Sequence, residues 1–184
     1  MATRQRIFEA ALEEFRREGV ASTQIDAIVR TAGVARGTFY LHFQSKDDVL
    51  RELQRQIESR VLERLEASMA RSRARTAQAF FERLVEALLS EREHPDLVRE
   101  VMALSVRSTV EHDWATNPYF KTIAEHVAAL QRSGEVRGDL DPAEITGLFM
   151  TSFFGFLASA TVPPSQRRQA IARLLDVFVK GIRP

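Results

Sequence analysis

Residues 23–46 read TQIDAIVRTAGVARGTFYLHFQSK, and the organisation of the whole chain follows from how this stretch folds. Thr23-Gln24-Ile25-Asp26 resembles a capping box, with Asp in place of the commoner Glu, and opens a short helix reaching Ala32. Gly33 breaks it, and a second short helix is expected over roughly Ala35–His42. Ile25, Ile28, Ala32, Val34, Phe39 and Phe43 fall where the two helices can share a small apolar core with a preceding one, which is helix-turn-helix geometry. Arg36, Gly37, Thr38, Tyr40 and His42 are left facing outward, all of them hydrogen-bonding or small. Arg30, Arg36 and Lys46 stand against Asp26 alone, a local charge of +2.

Working outward, Ile7, Phe8, Ala11, Leu12 and Phe15 make an apolar stripe for a first helix over about residues 4–17, ended by Gly19. On the other side, Ser45-Lys46-Asp47-Asp48 is a second capping-box pattern. It opens a long helix whose stripe runs through Val49, Leu50, Leu53, Ile57, Val61, Leu65 and Met69. Further helices are expected up to His94-Pro95, from Pro95 to about Val106, over Pro118–Arg132, from the Asp141-Pro142-Ala143-Glu144 start to Pro163, and from Ser165 to Ile182. All six prolines lie at Pro95 or beyond, there are only eight glycines, and no alternating β-branched run occurs. The expected class is all-α, with about nine helices.

Composition narrows the function classes. Apolar residues make up 45% and charged residues 28%, the balance of a globular chain. With 26 Lys+Arg against 25 Asp+Glu, no global excess of charge announces a polyanionic partner, so any such partner must be met by the local patch around Arg36. The absence of cysteine excludes disulfides, thiolate metal sites and a cysteine nucleophile. Residues 1–7 carry no continuous apolar run, so no secretory signal is expected and the expected location is cytoplasmic.

The run Ala32-Gly33-Val34-Ala35-Arg36-Gly37-Thr38-Phe39-Tyr40-Leu41-His42-Phe43, followed by Ser45-Lys46-Asp47-Asp48-Val49-Leu50, resembles the signature of TetR-family transcriptional regulators. The likeness covers about the first 55 residues, with turn, recognition helix and next cap in register. Two positions depart from the pattern: Ala35 replaces the usual Ser-type cap, which loosens the following helix by ~1 kcal/mol, and Val29 stands where Ala usually packs between the helices.

The resemblance implies a helix-turn-helix DNA-binding domain over residues 1–45, with its motif at about 24–43, and a ligand-binding and dimerisation domain over residues 46–184. It implies a sequence-specific DNA-binding transcriptional regulator, a repressor released from a palindromic double-stranded operator by a small effector of apolar or aromatic character. Thr23 and Gln24 at a helix start, Tyr40, His42 and Lys46 are expected at phosphates, while Arg36 and Thr38, beside the side-chain-free Gly37, are expected at base edges. Phe80, Leu84, Met102, Trp114 and Phe120 are the expected pocket residues. Phe153, Phe156, Leu174 and Phe178 are the expected homodimer contacts. The alternative is a helical small-ligand-binding protein without a DNA role, against which the patch at 23–46 argues.

Two other classes are weaker. Residues 145–162 hold 18 positions without a charge, roughly 27 Å of helix, long enough to suggest a membrane span. Their interspersed Thr and Ser, two glycines and a capped start favour instead a helix buried on nearly all sides, which points to a partner subunit. His42, His94, His112 and His126 have no metal-ligand spacing, and neither a P-loop nor a nucleophile elbow occurs. Glu111-His112-Asp113 reads as solvated loop. No enzyme activity, metal or cofactor is expected.

Overall fold

The computed structural model describes residues 2–72, 74–90, 95–110, 117–158 and 163–184. Nine α-helices, and no strand, occur among the described residues: α1 (Thr3–Glu18), α2 (Ile25–Ala32), α3 (Arg36–His42), α4 (Lys46–Arg71), α5 (Ala77–Leu89), α6 (Pro95–Val110), α7 (Pro118–Arg132), α8 (Pro142–Ala158) and α9 (Arg167–Gly181). The expected all-α class and helix count hold. The chain divides into two compact units, residues 1–56 with 92–104 and residues 57–91 with 105–184.

In the first unit, α1 packs on α2 and α2 on α3. Ile7, Phe8, Ala11, Leu12 and Phe15 of α1 are buried, as are Ile28, Phe39, Phe43, Val49, Leu50 and Leu53. The turn between α2 and α3 is fixed at Gly33, whose φ of 63° and ψ of 42° place it in the left-handed region that Cβ disfavours. Val34 N–H donates to Val29 O (3.0 Å) and Gly33 N–H to Arg30 O (3.2 Å), the paired bonds of a Schellman end. Arg6 of α1 adds its guanidinium, donating through Nη2 to Ala32 O (2.7 Å) and Gly33 O (3.2 Å) at the negative end of α2.

A buried carboxylate joins the same helices. Glu14 of α1 is 1% exposed and accepts from Thr31 Oγ1 of α2 at 2.6 Å and from Arg17. The expected capping box at Thr23 does not form: Thr23 is buried, and its hydroxyl donates to Gly19 O (2.8 Å) and Glu14 O (3.3 Å). The hydroxyl is taken by carbonyls at the end of α1, and α2 starts from Gln24 without a side-chain cap bond. At Ser45 half of the box forms, with Asp48 N–H donating to Ser45 Oγ (3.2 Å), while the returning carboxylate Oδ2 accepts instead from Gln44 N–H (2.9 Å), one residue before the cap.

The second unit packs α5 against α9 and α7 against α8. Its centre is aromatic: Phe81 lies 4.6 Å from Phe149 and 5.2 Å from Phe178, and Phe149 stacks on Phe153 at 5.9 Å. α8 starts as its sequence foretells, with Ala143 N–H on Asp141 Oδ1 (2.7 Å) and Asp141 N–H on Glu144 Oε2 (3.2 Å). No helix of the described residues is long and apolar enough to cross a membrane.

Arg4 and Glu52 tie α1 to the first part of α4, with Arg4 Nη2 2.9 Å from Glu52 Oε2 and Arg55 Nη2 2.5 Å from the same oxygen. The bond from Arg4, and after it that from Arg55, pulls the Glu52 carboxyl down to about 2, against the opposing effect of partial burial. A lowered carboxyl pKa contributes stability above its unfolded value that is lost as pH falls through the folded one. The stability advantage of the native chain over Glu52→Gln should therefore be full near pH 6 and shrink between about pH 4.5 and pH 2. Thermal melts of both proteins across that range check it; a constant gap would show that the ionised form of Glu52 contributes nothing.

Candidate nucleic-acid interface

α3 is a seven-residue helix with a buried inner face, Phe39, and an N-cap, Ala35, that makes no side-chain cap bond. Two aromatic contacts set its roll: Phe39 meets Tyr40 edge to face at 5.4 Å and Phe43 at 6.1 Å. Arg4 of α1 then covers Phe43, its guanidinium carbon 4.8 Å from the ring centre. With the helix held at both ends of this contact, Arg36, Gly37, Tyr40 and Leu41 face solvent together. At ~100° per residue they span an arc of about 140°.

Each expected DNA residue can now be placed. Arg36 is exposed, with Nη1 2.6 Å from Asp26 Oδ1 of α2 and its guanidinium carbon 6.0 Å from the Tyr40 ring centre. Tyr40 and His42 are exposed and Thr38 is half-buried. Gln24 is exposed at the α2 N-cap, whereas the Thr23 hydroxyl is held by the two carbonyls described above. Gly37 has open space on its outer side: a Cβ placed there would meet nothing within 4 Å. Leu41, 81% exposed, is the residue of this face that the sequence reading did not select.

Lys46 is placed unlike the expectation of an outward cation. Its Nζ donates to Val20 O (2.6 Å), Ala21 O (3.0 Å) and Thr23 O (2.9 Å), so all three ammonium hydrogens have backbone partners. The side chain clips the α1–α2 turn to the start of α4. Hydrogen bonds to a charged group contribute about 1.5–3 kcal/mol each at best, and the partly exposed setting lowers the net. Lys46→Gln should cost about 1–3 kcal/mol in chemical unfolding, with faster amide exchange in the turn at residues 19–24; unchanged exchange there would sink the clip.

In the second unit the expected pocket residues Phe80, Leu84 and Phe120 are buried. Met102 is half-buried in the other unit, and Trp114, with the Glu111-His112-Asp113 cluster and His94, lies outside the described residues. A cleft of about 500 Å³ is lined by Glu66, Met69, Ala70, Phe80, His126, Leu130 and neighbouring residues. At its edge His126 Nε2 lies 2.8 Å from Glu66 Oε1, and the His126 ring lies 5.4 Å from that of Phe80. Glu66 and His126 are sixty positions apart, so no local signal announces their meeting.

Of the expected dimer residues, Phe153 is fully buried inside its own unit, on the stack with Phe149, and has no surface to offer a partner. Phe156, Leu174 and Phe178 are half-buried, Phe178 against Phe81 and Phe149. The large apolar residues that α8 and α9 do expose are Leu148 (58%) and Val177 (70%).

Comparison with known proteins agrees with this geometry. The family model described as bacterial regulatory proteins, tetR family, matches residues 7–53, from α1 into α4. The transcriptional regulator UidR of Escherichia coli K12 is 29% identical over 189 residues, covering 98% of this chain and 92% of that one. Among solved structures, FadR of Thermus thermophilus, a TetR-family repressor in complex with lauroyl-CoA, has a TM-score of 0.72 at 24% identity, covering 96% and 91% of the two chains. FadR of Bacillus subtilis, in complex with stearoyl-CoA, has a TM-score of 0.64 at 20% identity, covering 97% and 99%. With the signature at residues 32–50 standing on a helix-turn-helix scaffold, residues 7–53 form a DNA-binding helix-turn-helix domain of the kind found in tetR-family transcriptional regulators.

Proposed function

We propose that this regulator is a cytoplasmic homodimeric repressor that grips a palindromic operator with α3 and releases it when a small, largely apolar effector binds. The observation that supports the DNA role most directly is the solvent-facing arc of Arg36, Gly37, Tyr40 and Leu41 on a helix whose opposite side is locked into the core. In division of labour, residues 1–45 bind DNA and residues 46–184 hold the effector and the partner subunit. Arg36 reads guanine through O6 and N7, while Gln24, Tyr40 and His42 position the helix on phosphates. Lys46 contributes by fixing the turn before α2.

The partner surface is the outer side of α8 and α9. Leu148, Ser152 and Gly155 are exposed at helical spacing on α8, a stripe flat enough for close approach, and Val177 stands exposed on α9. Two-fold pairing of this surface sets two copies of α3 about one DNA turn, ~34 Å, apart. Selection of random duplexes with the full chain should enrich a palindrome with that half-site spacing, and Arg36→Ala should weaken it by ~1–3 kcal/mol with relaxed preference at one position. The Leu148→Glu/Val177→Glu variant should be monomeric by light scattering and lose the palindrome. A selection without enrichment, or a monomeric native protein at micromolar concentration, would refute the arrangement.

The effector reading rests on the cleft between α4, α5 and α7, whose volume suits a small molecule and whose floor includes Met69, Phe80 and Leu130. The acyl-CoA complexes of the two FadR structures support a ligand with a long apolar part. Effector and operator must oppose each other by the same factor, since coupling is reciprocal. Ala129 is exposed and lines this cleft. Ala129→Trp should therefore keep operator affinity within about twofold while lowering effector affinity at least tenfold, a loss of ~1.4 kcal/mol. Calorimetry with acyl-CoA, with and without operator, reads both quantities, and unchanged effector affinity in the variant would move the site elsewhere.

A further inference from the structure

We propose that Leu41 reads a thymine methyl group in the major groove, with Gly37 clearing the space that lets α3 come close enough for it to do so. The inference rests on the reading of α3 as the groove-facing helix and adds a specificity-determining contact to it. Leu41 is the most exposed of the large apolar residues that the chain leaves uncovered among the described residues, at 81%. It is not held outward by an apolar neighbour at the position one turn earlier, because that position is Gly37.

Gly37 is itself unexplained by the fold. It lies within α3 and is not among the positive-φ glycines, and an added Cβ would meet nothing within 4 Å. Alanine there would satisfy the protein's own packing and favour the helix, and α3 is only seven residues long. A helix-weakening residue beside an uncovered leucine on the same exposed arc makes a notch and a knob. Neither feature serves the folded chain, and both serve a surface that approaches from outside.

In the major groove the only apolar group on a base edge is the C5-methyl of thymine. Leu41 lies five residues beyond Arg36, about 7.5 Å along the helix axis, or roughly two base steps of 3.4 Å. The thymine it meets is therefore about two base pairs from the guanine read by Arg36. Thr38, expected at a base edge from the sequence, is half-buried and is the less accessible of the two.

The test uses the selected operator and the full chain. Each thymine of the half-site is replaced in turn by deoxyuridine, which removes the methyl and leaves every hydrogen-bonding group in place, and affinity is read by fluorescence anisotropy. The native protein should lose about fourfold per half-site at one symmetric thymine, about fifteenfold when both are replaced. Leu41→Ala should bind the thymine operator more weakly and no longer distinguish it from the deoxyuridine form. Gly37→Ala should melt at a higher temperature than the native chain yet bind the operator at least tenfold more weakly. A native protein that binds its operator specifically but is indifferent to every thymine methyl would overturn the assignment, as would equal methyl sensitivity in Leu41→Ala. Failure to select any operator would instead strike the underlying DNA reading.

Discussion

Presentation of α3 depends on a single backbone constraint, the left-handed conformation of Gly33, and on the cation that seals it. A residue with a Cβ would strain the backbone there, and any other conformation would send α3 off in another direction. Two hydrogen bonds close the end of α2, and the Arg6 guanidinium takes the carbonyls of Ala32 and Gly33. The turn is thereby referred back to α1. Because Arg4, two residues earlier, holds Glu52 and covers Phe43, one turn of α1 governs the end of α2, the end of α3 and the first part of α4. A short helix of low intrinsic stability is kept in place by cations on its neighbour.

The features readable from sequence were those encoded within about four residues: apolar stripes, glycine stops and the helix-start caps at Ser45 and Asp141. Each is a contest between a side chain and the nearest backbone groups, and its outcome is local. Thr23 shows where that logic ends. Its hydroxyl had two sets of partners in reach, and the competition was decided by the end of α1, nine residues away at Glu14. The destination of Lys46, more than twenty residues back along the chain, was equally invisible, since a lysine after a capping serine looks the same whether it faces solvent or three carbonyls.

α8 was misread for a different reason. Phase can be read from a helix only when a polar side exists to contrast with the apolar one. Residues 145–158 carry apolar groups all round, so nothing in the sequence says that Phe149 and Phe153 turn inward while Leu148 turns outward. The Phe-rich character of the second unit was legible. That its rings interlock as Phe81, Phe149, Phe153 and Phe178 was not, because these come from three helices whose mutual rotation is set by the packing itself. Leu41 was not selected because only hydrogen-bonding or small residues of α3 were counted as facing outward.

On the proposed reading of α3, the contact between Asp26 and Arg36 has a consequence for how the protein meets a duplex. An exposed ion pair of this kind is weak, because water screens both partners, and the proposed dimer has two. A duplex without guanine in the right place must compete with Asp26 for the guanidinium and offers only phosphate in return, whereas the correct site gives two aligned acceptors. Either duplex must first draw Arg36 away from Asp26, so the pair lowers affinity for the operator and for arbitrary sequence by no more than one small factor. What Asp26 gives in exchange is order: it holds the guanidinium at one place on α3 before a duplex arrives, so less rotamer freedom is left to lose on contact.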